Sequence, residues 1–133
     1  MRVFLDTNFL VSAFLARGLC ADLSRLVLIE HTLVTSEVVL TELQDVLSRK
    51  GRLPAPQIAA IQAFLCDQPV APRPAQTLQL GLVNPDDEWV VANAVLVEAD
   101  LFVTGDQGVL ACIQPPLPIV NPRGCWERLR SSD

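Results

Sequence analysis

Basic residues are scarce in this sequence, and one long stretch has none. Between Pro74 and Pro122 the chain contains no lysine or arginine, and Lys50 is the only lysine among 133 residues. The formal net charge is −5, which argues against nucleic-acid binding driven by protein charge alone. Acidic residues that converge within the 74–122 stretch must therefore take their compensating charge from elsewhere, and a bound cation is the obvious source.

Histidines and closely spaced cysteines are also lacking. His31 is the only histidine and follows a predicted helix, which favours a structural role over a catalytic one. The four cysteines lie far apart and form none of the short-spaced pairs that zinc sites use. We therefore expect reduced, mostly buried thiols.

Long apolar runs are missing as well. No run reaches membrane-spanning length, and Asp6 directly follows the first apolar residues. We therefore expect no signal peptide, no contact with a membrane and a cytoplasmic location. Half of the residues are hydrophobic, and the chain shows no repeats or convincing linkers. This predicts a single domain over residues 1–133.

Short apolar runs alternate with helical patterns along the chain. Strands are predicted at 2–5, 33–35, 101–104 and 119–120. Helices are predicted at 9–15 (capped by Thr7 or Asn8), 21–30, 56–67, 86–98 and 122–130, with another helix capped by Ser36 and a helical turn at 108–113. Residues 69–74 are predicted to form a loop, and residues 76–83 fit either a helix or a strand. The alternation predicts an α/β domain with a mainly parallel sheet and helices on both faces.

The helix that begins near Asn84 carries three successive acids. Pro85 suits the first helical position and Asn84 suits the cap. Asp86 and Glu88 are well explained by a favourable interaction with the helix dipole. Asp87 instead shares a face with the apolar residues three, four, seven and eight positions further on. An acid on the apolar stripe of a helix needs a partner.

Four acids are predicted to meet at one edge of the sheet. Asp6 and Asp106 each follow a strand at its carboxyl end, where ligands bind in parallel sheets. Asp87 lies at the start of the helix before the Asp106 strand, and Glu42 lies in the first half of the helix after the second strand. Taken alone, Asp6 is as well explained by a turn and Glu42 by a solvent-exposed face. Together, these oxygen ligands suit a hard cation, Mg²⁺ or Mn²⁺.

These segments resemble the PIN-domain family, and in particular the VapC-like toxin components of toxin–antitoxin pairs. The resemblance is carried by Asp6-Thr7-Asn8, by the Glu42 helix, by Asp86-Asp87 before an alanine-rich helix, and by Val103-Thr104-Gly105-Asp106. It implies a three-layer α/β/α fold and a metal-dependent ribonuclease. It also implies an RNA substrate, a small antitoxin that places Arg or Lys in the acidic pocket, and a homodimer.

The resemblance also implies a role for each residue. The catalytic acids would be Asp6, Glu42, Asp87 and Asp106. All of them except Glu42 would bind Mg²⁺ or Mn²⁺, and Glu42 would orient or deprotonate the attacking water. The supporting polar residues would be Asn8, Asp86 and Thr104. Gly108 and Asn84 stand where relatives often carry acids, which implies weaker metal binding.

Other classes of protein also gather acids at this edge of a sheet. A phospho-accepting regulatory domain would use a lysine after a late strand, whereas Lys50 follows a helix. A phosphatase with an aspartyl nucleophile would carry an acid where this chain has Asn8. A PIN-like module that has lost catalysis and binds RNA or protein is the alternative to the ribonuclease.

Overall fold

The sheet is built around its first strand, β1, at Arg2–Leu5. A computed structural model describes residues 1–131, and the other strands in it are Thr32–Ser36 (β2), Val70–Ala71 (β3), Leu101–Val103 (β4) and Ile119–Val120 (β5). The strands pair in the order β3-β2-β1-β4-β5, and every pairing is parallel. The predicted parallel sheet is therefore confirmed.

Helices fill the connections between the strands and follow the last of them. In the described part of the chain they are Thr7–Leu15 (α1), Leu19–Glu30 (α2), Glu37–Arg49 (α3), Ala55–Cys66 (α4), Pro85–Leu96 (α5), Gln107–Leu110 (α6) and Pro122–Ser131 (α7). Parallel strands need such crossovers, which place helices on the faces of the sheet. The fold is the predicted three-layer α/β/α sandwich. Each helix within residues 1–131 is too short or too polar to span a lipid bilayer.

The core is centred on β1, which is covered on both sides. Val3, Phe4 and Leu5 are completely buried, and the ring of Phe4 stacks on that of Phe102 in β4 with centroids 5.3 Å apart. A strand buried on both faces needs no polar alternation. This explains why the first strand is a continuous apolar run in the sequence.

The strand order reverses beside β1. The chain passes from β1 to β2 and β3 on one side, then crosses to β4 and β5 on the other side. Such a reversal leaves a crevice outside the carboxyl ends of the two strands where it occurs, here β1 and β4. Phe4 pairs with Phe102, and Leu5 pairs with Val103, so the residues that follow both strands lie side by side.

The prediction of a loop over residues 69–74 is wrong at its centre. Val70–Ala71 forms β3 and pairs with Thr35 and Ser36 of β2, and the carbonyl of Pro69 accepts a hydrogen bond from the Thr35 N–H at 3.0 Å. An edge strand tolerates flanking prolines because only one of its sides must pair. Residues 76–83 form neither a helix nor a strand.

The prediction of the first helix cap is also wrong. Thr7 is already inside α1, and Asp6 is the cap because its side chain accepts the Phe9 N–H. The Ser36 cap of α3 is confirmed, because the Ser36 hydroxyl oxygen accepts a hydrogen bond from the Val39 N–H at 3.1 Å.

The four cysteines are free thiols, as expected, but only Cys125 is buried. The single domain over 1–133 stays a prediction, and residues 132–133 lie outside the described part.

Candidate active site

Asp6 lies where β1 ends and α1 begins. Its N–H donates to the carbonyl of Val103 at 3.2 Å, which joins it to β4, and its Oδ1 accepts the Phe9 N–H at 2.9 Å. The side chain is buried, with the residue only 9% exposed. Burial raises the pKa of Asp6, the hydrogen bonds from Thr104 and Phe9 lower it, and the nearby Asp106 and Glu42 carboxylates raise it, for a net rise.

Asp106 lies at the matching position after β4. Its Oδ1 accepts hydrogen bonds from the N–H groups of Gly108 at 2.8 Å and Val109 at 3.3 Å, so it caps α6. Its own N–H donates to the Thr104 Oγ1 at 3.0 Å, and the same Thr104 hydroxyl donates to the Asp6 Oδ2. Thr104 is completely buried. One hydroxyl group therefore fixes the positions of two acids that lie a hundred residues apart.

Glu42 approaches the same crevice from α3. Its Oε2 accepts a hydrogen bond from the Thr7 hydroxyl at 2.8 Å, and Thr7 is itself buried. Thr7 was not among the predicted site residues, because the sequence suggested only a helix cap for it. The available signal was its place in an unbroken polar triplet between a buried strand and an apolar helix.

Asp87 is the member of the Asp86-Asp87 pair that faces the other acids. Burial raises the pKa of Asp87 to about 6, with further contributions from the carboxylates of Asp106, Glu42, Asp6 and Asp86 in that order. Asp86 is exposed and lines a neighbouring cavity instead. The Asn84 side chain caps α5 by accepting the Asp86 N–H at 3.0 Å, which sets the helical face on which Asp87 lies.

The four predicted catalytic acids line one cavity of about 60 Å³. The predicted supporting residue Asn8 also lines it. Of the other two predicted supporting residues, Thr104 donates a hydrogen bond to Asp6 without lining the cavity, and Asp86 does not line it either. Within residues 1–131, no lysine or arginine lines this cavity. Its walls are Asp6, Thr7, Asn8, Glu42, Asp87, Val90, Phe102, Asp106 and Val109. The cavity therefore concentrates negative charge in a partly desolvated space.

The donor set of the cavity fits a hard divalent cation. Every charged donor is a carboxylate oxygen, which suits Mg²⁺ or Mn²⁺ rather than a softer metal. Among the described residues, no group of three or more His, Cys, Asp or Glu side chains is arranged so that it could hold an ion as it stands. Uncompensated carboxylates repel one another, so an ion would have to draw these side chains together. Its ligands would be Asp6, Asp87 and Asp106.

Comparison with known proteins places this geometry in context. The family model described as "PIN domain" matches residues 2–108. A comparison with curated proteins gave no significant match. Among solved structures, the fold is similar to one chain in the crystal structure of VapBC2 from Rickettsia felis. In that structure VapBC2 is bound to a DNA fragment from its own promoter. That likeness has a TM-score of 0.67 and 20% sequence identity, and it covers 91% of this chain and 98% of the other. At this identity the likeness shows the fold alone.

Proposed function

This chain belongs to the PIN-domain family, and from that premise we propose that it is a divalent-metal-dependent endoribonuclease. The observation that carries the proposal is the convergence of four carboxylates on one cavity, which no basic side chain of the described part of the chain lines. Acids in such a place are costly unless a cation compensates them. Phosphodiester hydrolysis in RNA is the chemistry that a family of nucleases and a cavity with only oxygen donors support together.

Each acid has a distinct part in this proposal. Asp6, Asp87 and Asp106 hold Mg²⁺ or Mn²⁺, and Glu42 orients or deprotonates the attacking water. Bound there, the metal supplies Lewis acidity that lowers the pKa of water and stabilises charge on phosphate oxygens. The Thr7 hydroxyl fixes the position of Glu42, and Thr104 fixes the spacing of Asp6 and Asp106.

The metal also reconciles an acidic protein with a polyanionic substrate. The formal net charge of −5 disfavours the binding of RNA, and the carboxylates of the cavity contribute to that charge. A divalent ion on three of them removes most of the local repulsion, so a phosphate group can approach. The approach of the scissile phosphate to the four acids, and hence cleavage, should therefore depend on the metal.

We further propose that the chain is the toxin of a toxin–antitoxin pair in the cytoplasm. The fold likeness to VapBC2 and the acidic cavity support it, since a partner's Arg or Lys would neutralise the four acids. A homodimer is also expected. Copurification with the product of a neighbouring open reading frame tests the pairing, and absence of a complex at high concentration would remove the toxin claim. Light scattering that shows a monomer at micromolar concentration would remove the dimer.

Incubation with RNA tests the nuclease itself. Total RNA is treated with the wild type in Mg²⁺, in Mn²⁺ or in EDTA, and with Asp106→Asn as a matched variant. Attack by water on phosphorus, with the 3′-oxygen leaving, gives a 5′-phosphate and a 3′-hydroxyl. We expect such ends only with wild type and metal. Cyclic phosphate ends, or equal cleavage in EDTA, produced by the wild type but not by Asp106→Asn prepared in parallel, would refute the proposal.

A further inference from the structure

A second and larger cavity borders the acidic one. Its volume is about 340 Å³, within the range of pockets that hold small ligands. It lies between α3, the segment after β3 and the start of α5. Its walls are Glu37, Val38, Thr41, Glu42, Arg73, Asp86 and Trp89. Glu42 lines both cavities, so a group bound in the larger one lies next to the four acids.

An arginine and a tryptophan are among the walls of this larger cavity. The guanidinium carbon of Arg73 lies 5.0 Å from the ring centroid of Trp89. The backbone N–H of Arg73 donates a hydrogen bond to the Glu37 Oε2 at 3.4 Å. Arg73 is exposed and Trp89 is half-buried. Exposed aromatic rings and guanidinium planes are the surfaces on which unpaired RNA bases stack.

Two other wall residues of the larger cavity offer hydrogen-bond acceptors. Glu37 and Asp86 are exposed carboxylates, which only accept when ionised. The Watson–Crick edge of guanine carries two adjacent donors, N1–H and the N2 amino group, that match the two oxygens of one carboxylate. Adenine and cytosine place a ring nitrogen acceptor beside their amino group, and uracil has a single N–H between two carbonyl groups. These carboxylates therefore favour the binding of guanine over the other three bases.

We propose that this cavity binds one base of single-stranded RNA, with a preference for guanine, beside the phosphodiester bond that the acids cleave. The inference rests on the proposed nuclease function, because it names a substrate feature recognised next to the same site. The base stacks on the Arg73–Trp89 pair, and its edge faces Glu37 or Asp86. An arginine from a protein partner is the less favoured occupant, since it would meet the like charge of Arg73 over the same ring.

Equilibrium binding tests the inference apart from cleavage. The probe is a fluorescent six-residue oligouridine with one internal position changed to G, A or C, and its anisotropy is measured in EDTA, where no metal supports hydrolysis. We expect the wild type to bind the guanine form about tenfold more tightly than oligouridine. Trp89→Ala and Arg73→Ala should each lose about tenfold in affinity, in line with the loss of one stacked base. Trp89→Phe should keep most of the affinity.

A matched control and a specificity variant complete the experiment. Arg130 lies over Trp126 at 5.9 Å on α7, so Arg130→Ala removes a similar pair away from this cavity and should bind like wild type. Glu37→Gln and Asp86→Asn each replace one acceptor oxygen with a donor. The change at the carboxylate that faces the base should remove the guanine preference, and both should leave oligouridine affinity within about twofold. Melting curves establish that each variant is folded, and Arg73→Ala alters only an exposed side chain.

The outcomes separate the two proposals. Binding with guanine preference by a chain that cuts no RNA in Mn²⁺ would leave the base site standing and remove the nuclease. Metal-dependent cleavage by a chain whose Arg73→Ala and Trp89→Ala forms bind all probes like Arg130→Ala, without base preference, would remove the base site and leave the nuclease. Failure of every oligoribonucleotide to bind would overturn the inference. So would an arginine-containing peptide that binds in the same Trp89-dependent way while RNA does not.

Discussion

At the scale of single residues, Thr104 has the most influence on the geometry of the site. Its buried hydroxyl donates to Asp6 and accepts from the Asp106 N–H. Replacement by valine keeps the shape but leaves both groups without this partner, so Thr104→Val should destabilise the fold by about 1–2 kcal/mol. Loss of such a supporting hydrogen bond should also reduce cleavage about tenfold.

Urea unfolding and cleavage rates measure both effects of that change. Thr104→Ser keeps the hydroxyl and is the matched control, so it should retain most of the activity. If Thr104→Val cuts RNA as fast as Thr104→Ser, the hydroxyl does not position the acids.

Asp87 gives the chain a dependence of stability on pH. Its pKa is raised to about 6 in the folded protein from an ordinary 3.8, so between these values the folded state binds more protons than the unfolded state. Stability without metal should therefore be greatest below about pH 4 for this group and fall as pH rises through 6. After allowance for solvent screening, the loss is about 1 kcal/mol.

Thermal melting in EDTA between pH 4 and 7.5 measures this dependence. Asp87→Asn removes the titrating group, so its Tm should fall less over this range and should exceed that of wild type at pH 7.5. If Asp87→Asn has the same dependence of Tm on pH as wild type, ionisation of Asp87 does not destabilise the folded protein.

The site residues differ in how far the sequence could reveal them. Asp6 and Asp106 were predictable because each directly follows an apolar strand, and Asp87 because it shares a helical face with buried residues. Thr7 could not be found in this way, since its bond to Glu42 spans 35 residues. Arg73 and Trp89 meet only because the short β3 strand brings the segment after it beside α5. Contacts of this kind depend on tertiary structure and leave no periodic signal.

At the scale of elements, α5 depends on its cap. The Asn84 side chain accepts the Asp86 N–H at 3.0 Å, and Asn84→Ala should cost about 1 kcal/mol of stability. Asn84→Asp keeps an acceptor and adds negative charge at the positive end of the helix, so it should be as stable as wild type. Chemical denaturation measures both variants. If Asn84→Ala is as stable as wild type, the cap does not stabilise α5.

The elements also show where sequence patterns stop being informative. β1 and β4 are predictable within about one residue, because strands buried on both faces appear as unbroken apolar runs. β2 is predictable to the same accuracy from its central Leu33-Val34-Thr35. β3 was missed because it is two residues long and lies among prolines, which usually indicate a loop. An edge strand of that length is defined by its partner β2 rather than by its own sequence.

At the scale of the whole molecule, metal binding and stability should be linked. An ion that binds only the folded chain stabilises it by about 2.7 kcal/mol at a free concentration one hundred times Kd. Mg²⁺ or Mn²⁺ should therefore raise the Tm of the wild type. Asp6→Asn should lose much of this shift and, without metal, should melt no lower than wild type. Asparagine can still cap α1, and one repelling charge is gone.

The matched control for this shift is Asp45→Asn, which alters an exposed acid on α3 that pairs with Arg49. It should respond to metal like wild type. If Asp6→Asn shows the full metal-dependent rise in Tm, Asp6 is not a ligand, and its role would be limited to capping the helix.

Cleavage of a single-stranded RNA in Mn²⁺ by wild type, Asp6→Asn and Asp45→Asn, each with and without EDTA, tests the central claim most directly. We expect the wild type and Asp45→Asn to cut at equal rates in Mn²⁺ and not at all in EDTA. We expect Asp6→Asn, folded and with its helix cap intact, to show no detectable cleavage. If Asp6→Asn cuts RNA as fast as wild type in Mn²⁺, the four carboxylates are not the active site of a nuclease.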